Sequence, residues 1–203
     1  MTANKPLDDC FHSDKDRLTH EEAVALLKAR VRVITGSETT RLDTAAGRVL
    51  AKSVRAERPI PLHTNSAVDG YAFPFASYDA ERGTAFDVTG RAAAGHPLEG
   101  TLRRGAAVRI LTGAVVPDGT DTVVMQEDVR LEEAPGSARV HIPAGLKGGA
   151  NVRAAGEDVR GGEIMFEPGH TIRPQDLAAL ASAGVGTVPV YRRLRAGVFS
   201  TGD

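Results

Sequence analysis

The stretch NSAVDGYAF, residues 65–73, sets an acid and a glycine, Asp69 and Gly70, inside a run that otherwise reads as a strand. Strands deplete Asp and Gly, and helices exclude Gly. Taken alone, the pair signals a turn, because glycine supplies positive φ and aspartate can bond its own backbone. The competing reading is a functional carboxylate carried on a bend, with the small polar Asn65 and Ser66 beside it. These nine residues leave both open, and the rest of the chain has to decide.

From Val54 onward, short apolar runs at 85–88, 107–111, 122–125 and 139–142 alternate with Gly, Pro and Asp. That punctuation predicts a β-rich unit rather than βαβ repeats. Helices are expected on either side. Thr19 and Glu22 form a capping box, with Ala23, Leu26, Leu27 and Val31 at helical spacing, so a helix is predicted over 19–31. A shorter helix is expected around 44–50. Another is expected over 175–182, with Pro174 at its first turn and Gly184 as its stop. Residues 185–191 and 194–199 read as strands, giving an α+β chain.

Composition narrows the function classes. At 203 residues the chain can bury a sizeable core as one domain or two. A net charge of -1 removes the bulk electrostatic case for nucleic acid or an anionic membrane. Aromatics at 4 %, with no Trp, leave few stacking platforms for single strands. The short basic run Arg192, Arg193 and Arg195 reads as a solvated edge. A single cysteine, Cys10, makes no internal disulfide and suits a reducing compartment. Residues 1–17 are polar, lack a secretory apolar region and are expected to be a flexible tail. No apolar run reaches the roughly 20 residues that span a bilayer, so a cytoplasmic location is expected. The six histidines show no zinc-ligand spacing.

Two further segments put small residues and polar groups after probable strands. RILTGAVVPDGTDTVVMQED, residues 109–128, offers the Thr112 hydroxyl, Gly113 where a ligand can approach the backbone, and Arg109. NVRAAGEDVRGG, residues 151–162, offers Arg153 and the adjacent carboxylates Glu157 and Asp158. Each alone is as readily a solvated turn, and Arg153 with Glu157 is as readily an internal salt bridge.

In order and spacing these three segments, together with the terminal VFSTGD at 198–203, resemble the MoeA/gephyrin family, the molybdopterin molybdenumtransferases of molybdenum cofactor synthesis. The resemblance runs from Leu18 to Asp203. It implies a small mixed linking domain formed by 36–55 and 163–194, with a β-rich domain, 56–162, inserted into it. It further implies a helix in 18–35 that packs on an α/β molybdopterin-binding domain, of which 195–203 would be the first strand and the remainder is missing. The chain alone is then expected to be inactive.

The family activity so implied is insertion of molybdate into adenylylated molybdopterin with release of AMP. It takes place in a homodimer whose site is composite between subunits. Asp69, Thr112 and Asp158 are expected as catalytic residues, and Ser66, Gly113, Arg109, Arg153 and Glu157 as substrate contacts. Asp69 and Asp158 are expected to hold Mg²⁺, since every substrate is anionic and Mg²⁺ takes oxygen ligands. The implied partners are a second subunit, a molybdopterin adenylyltransferase and recipient molybdoenzymes. The alternative is a non-catalytic dimerising, scaffold or regulatory fragment of the same family. Two departures stand out: Thr64 replaces a common Asp, removing an acceptor, and Val68 replaces the commoner Met.

Overall fold

The computed structural model of the chain describes residues 18–100, 102–103 and 105–202; the tail expected over 1–17 lies outside the described residues. The chain divides into two units, residues up to 36 with those from 192 onward, and residues 37–191.

In the first unit, α1 spans His20–Arg30. It starts where the capping box predicts: the Thr19 N–H donates to Glu22 Oε2 at 2.8 Å, and the Glu22 N–H donates to Thr19 Oγ1 at 3.2 Å. No residue of α1 is buried, and Leu27 and Val31 stand 61 % and 68 % exposed. The strand expected over 194–199 is corrected, because residues 192–202 form no strand. A strand needs a neighbour to take its N–H and C=O groups. In this unit Arg192 bonds Gly36 and Thr35, its N–H donating to the Gly36 carbonyl at 2.8 Å and its carbonyl accepting from the Thr35 hydroxyl at 3.1 Å, and no strand partner follows.

Among its described residues the second unit carries twelve strands and one α-helix. The strands are β1 (Ser37–Arg41), β2 (Val54–Arg55), β3 (Asn65–Ser66), β4 (Gly70–Phe73), β5 (Thr84–Ala92), β6 (Ala106–Ile110), β7 (Thr122–Met125), β8 (Arg130–Ala134), β9 (Ser137–Ile142), β10 (Val152–Arg153), β11 (Ile164–Phe166) and β12 (Thr187–Tyr191). Helix α2 spans Pro174–Ser182. With its two helices and a six-stranded sheet the chain is α+β. That sheet runs β7-β4-β6-β5-β9-β8, antiparallel except for the β5–β6 pair.

Period-2 alternation builds a core on each face of the sheet. Tyr71, Phe73, Phe86, Ala107, Val124 and Val140 pack on one face, and Ala72, Val108, Ile110 and Val123 on the other. A separate core, including Leu50, Val54, Ile172, Leu180, Val188 and Val190, comes from the flanking stretches. There β1 pairs β12 and β2 pairs β11, so segments distant in sequence come together.

The helix expected around 44–50 is corrected to a single 3₁₀ turn, Leu42–Thr44. Its would-be helical donors go elsewhere: the Gly47 N–H donates to Ile172 O at 2.8 Å, and the Leu50 N–H to His170 O at 2.9 Å. Tertiary partners thus replace the i−4 carbonyls a helix would need. Helix α2 has an unforeseen anchor in the buried Asp176, which accepts from the Arg173 N–H at 2.9 Å and the Arg173 guanidinium, and pairs with His170 Nε2 at 2.7 Å. Arg173, with that N–H and His170, holds the Asp176 carboxyl far below the usual range.

Ile110 is fully buried at the centre of the sheet. Ile110→Ala is expected to lower unfolding free energy by about 2–5 kcal/mol in a denaturant titration; a loss within the ordinary surface range would contradict its place in the core.

Candidate functional site

The Asp69-Gly70 pair is explained by close packing as well as by a bend. Gly70 begins β4, between β6 and β7, and a Cβ there would lie 1.8 Å from the Val124 carbonyl oxygen. Gly70 is not among the residues of positive φ. The glycine is needed because the neighbouring strand leaves no room for a side chain, and the bend it follows turns Asp69 out of the ladder.

Asp69 is half-buried and faces the loop after β6. Its Oδ1 accepts from the Thr112 N–H and from the Thr112 hydroxyl, both at 2.7 Å. Those two donors, with the Arg109 charge behind them, hold the Asp69 carboxyl below the usual carboxylate range. Among the described residues no donor reaches Asp69 Oδ2. The Arg109 guanidinium lies over the Tyr71 ring at 5.1 Å and donates to the Gly70 carbonyl at 3.0 Å and to Gln126 Oε1.

The second group lies just beyond β10. Arg153 Nε donates to Glu157 Oε1 at 2.6 Å and Arg153 Nη2 to Asp158 Oδ2 at 2.8 Å. Glu157 Oε2 takes the Ala154 N–H at 2.9 Å, so both Glu157 oxygens are committed to the loop. Asp158 keeps Oδ1 open among the described residues. The internal salt bridge is therefore present.

Strand β3 joins the two groups. On one side the Gly113 N–H donates to Ser66 O at 2.8 Å, and the Ser66 N–H to Ala114 O at 3.0 Å. On the other side β10 pairs with β3, Val152 opposite Ser66 and Arg153 opposite Asn65, and the Ala67 N–H donates to Asn151 O at 2.9 Å. The structure thus brings Asp69, Thr112, Gly113 and Arg109 together directly, and Arg153, Glu157 and Asp158 together as a second set. The two sets share a backbone support and, among the described residues, are joined by no side-chain hydrogen bond or ion pair.

Three of the expected site residues, the contacts Gly113 and Ser66 and the catalytic Thr112, already give their donors to the protein. The Gly113 N–H, expected for an oxyanion, is already given to Ser66 O; the residue's φ of 78° turns it inward. The Ser66 hydroxyl is buried and donates to Val68 O at 2.6 Å, which makes it a strut of the bend. The Thr112 hydroxyl gives its proton to Asp69, so it can offer an incoming ligand only lone pairs.

Asn151 was missed as a positioning residue. Among the described residues it is the non-glycine residue at positive φ, 56°, and its carboxamide donates to Val123 O in β7 at 2.9 Å. Asparagine is the side chain that best tolerates this conformation, but the sequence marks it no differently from any loop Asn.

No group of three or more His, Cys, Asp or Glu side chains among the described residues is placed to enclose a metal. Asp69 and Asp158 each present one carboxylate oxygen without a donor among the described residues, the kind of hard oxygen ligand that Mg²⁺ takes alongside waters. The hollows of this unit are walled mainly by other residues. Arg109 lines one of about 500 Å³ with Tyr71, Val88 and Gln126.

The chain is similar to known proteins across most of its length. The sequence pattern of the family described as MoeA N-terminal region (domain I and II) matches residues 18–184. A molybdopterin molybdenumtransferase of Haemophilus influenzae is 37 % identical over 92 % of this chain and 45 % of its own. One from Nostoc is 38 % identical over 82 % of this chain and 38 % of its own. The crystal structure of the molybdopterin biosynthesis MoeA protein of Pyrococcus horikoshii superposes with a TM-score of 0.67 at 34 % identity, covering 84 % of this chain and 44 % of that one. The chain spans less than half the length of each of these relatives.

Thr112→Val removes one of the two donors to Asp69. The folded-state pKa of Asp69 is depressed, so the stability it contributes is present above the unfolded value and lost as pH falls through the folded one. In the variant the Asp69 midpoint, followed by carboxyl ¹³C NMR, is expected to rise toward 3.8, and the loss of unfolding free energy on acidification that this group causes to become smaller. An unchanged midpoint would contradict the hydroxyl's part.

Proposed function

Since the chain belongs to the MoeA family, we propose that it supplies one wall of a molybdopterin molybdenumtransferase site, in which molybdate is inserted into adenylylated molybdopterin and AMP is released. The observation that carries this reading is the pair of aspartates, Asp69 and Asp158. Each is fixed through one oxygen by a neighbouring donor, each has its other oxygen without a donor among the described residues, and both sit on loops supported by β3.

A carboxylate fixed this way is aimed before any ligand arrives, which lowers the ordering cost of binding. Asp69 Oδ2 and Asp158 Oδ1 would hold Mg²⁺. When bound it would offset the negative charge of molybdate and of the phosphates. Asp158 or Asp69 would also orient the water that separates AMP. Thr112 keeps Asp69 ionised and pointed, and Arg109 adds positive charge from behind it. Arg153 holds Glu157 and Asp158 in place, so its charge reaches an anion only through that loop.

The open setting of Thr112, Glu157 and Asp158 on this unit fits a wall that needs a facing surface. We assign that surface to the α/β molybdopterin-binding domain of the second subunit in a homodimer. The linking and inserted domains would carry this wall. A molybdopterin adenylyltransferase would deliver the adenylylated substrate, recipient molybdoenzymes would take the product, and the work would be cytoplasmic.

The test is a chimera in which this chain replaces the matching part of the Haemophilus influenzae relative, assayed for molybdate-dependent AMP release. The chimera is expected to be active, and Asp69→Asn and Asp158→Asn to lose about 10²-fold or more in rate while remaining folded. Variants as active as the parent would overturn the assignment.

A further inference from the structure

We infer that Arg109 and Gln126 form a brace that positions the Asp69–Gly70 dipeptide, and through it the direction of the Asp69 carboxylate, rather than contacting the anionic substrate. The inference rests on the reading of Asp69 as a site carboxylate and adds Gln126 to the residues that serve it.

The connections form a closed ring across three segments. The backbone N–H of Gln126 donates to the Asp69 carbonyl at 3.0 Å. The side chain of the same residue offers Oε1 to Arg109 Nη2, and Arg109 Nη1 donates to the Gly70 carbonyl at 3.0 Å. Successive carbonyls of the dipeptide are thus held by one pair of residues. The guanidinium is kept in plane over Tyr71, and Arg109 sits in β6 opposite that tyrosine. On the other side of the dipeptide, Thr112 holds the carboxylate itself, and Thr112 lies only three residues from Arg109 on the same chain segment. Moving Arg109 therefore disturbs Asp69 from the carbonyl side and the carboxylate side together.

The residue type at 126 adds a second argument. A guanidinium that needs an acceptor usually finds a carboxylate, as Arg153 does here with Glu157 and Asp158. Arg109 instead finds a neutral amide, although Glu127 is adjacent and takes the other end of that amide at 2.9 Å. A neutral acceptor fixes the guanidinium without cancelling its charge, leaving it to act on Asp69. With two arms committed to Gly70 and Gln126, Arg109 is poorly placed to fork onto a phosphate.

The brace is tested on the 203-residue chain by NMR without substrate, following the Asp69 carboxyl titration and hydrogen exchange at the Thr112 amide. Gln126 is exposed, so its variants are expected to fold. Gln126→Met, which has no acceptor, is expected to speed Thr112 exchange about tenfold or more and to raise the Asp69 midpoint. Gln126→Glu keeps an acceptor and adds a negative charge; it is expected to raise the Asp69 midpoint while Thr112 protection stays within about twofold of the parent. Arg109→Lys, with charge but no fork, is expected to lose Thr112 protection as Gln126→Met does. Parent values in Gln126→Met, or equal loss of protection in the Glu and Met variants, would overturn the brace. A residue needed only for folding would lower the unfolding midpoint without separating these readouts. Full activity of Asp69→Asn in the chimera would instead overturn the site assignment while leaving these NMR readings to stand or fall by themselves.

Discussion

The double hydrogen bond from Thr112 to one oxygen of Asp69 is the contact on which this surface depends. It ties the bend before β4 to the loop after β6, and it does so with a charged acceptor, where hydrogen bonds are strongest. The same contact decides what the bend can offer to a ligand. One carboxylate oxygen is spent on the protein, the other meets no donor among the described residues, and the carboxyl titrates below the usual carboxylate range. Gly70 makes the arrangement possible, because only a residue without Cβ lets β4 enter the sheet so close to the Val124 carbonyl.

The second acidic loop repeats this logic with different parts. Arg153 takes one oxygen of Asp158 and one of Glu157, as Thr112 takes one of Asp69. Exposed ion pairs of this kind contribute little to stability, so their value lies in fixing direction. Strand β3 is only two residues long, yet both loops hang on it, one through Ser66 and Ala114 and the other through Val152 and Arg153. Asn151, in a conformation few side chains accept, stands just before β10 and ties that turn to β7 through Val123 O. On the proposed reading, two acids on separate loops, each with an oxygen that no donor among the described residues reaches, would form a surface for a cation-bridged anion.

Much of the fold could be read from residue patterns, since its strands follow local rules. The alternation through Tyr71, Ala72 and Phe73, and the box of Thr19 and Glu22, announce their structures directly. The helix expected around 44–50 failed because Gly47 and Leu50 give their N–H groups to chain more than a hundred residues away, which no local pattern records. The strand expected near Val198 failed for the complementary reason: its apolar residues alternate properly but find no neighbour. At the site, the residue types were legible and their employment was not. Ser66 and Gly113 look like ligand contacts in sequence, yet both spend their donors on the protein. Asp176 and Asn151 look like ordinary loop and helix residues, yet they hold the structure at its corners.

Mn²⁺ in place of Mg²⁺, titrated with AMP into ¹⁵N-labelled chain, addresses the joint action of the two loops most directly, since its unpaired electrons broaden only nearby amide signals. If both aspartates face one cation-bearing anion, the amides of Thr112 and of Ala154 lose intensity together, and Asp69→Asn and Asp158→Asn each abolish the effect at both. Broadening at one loop alone, or only at distant acidic residues such as Glu132, would contradict a shared ligand surface.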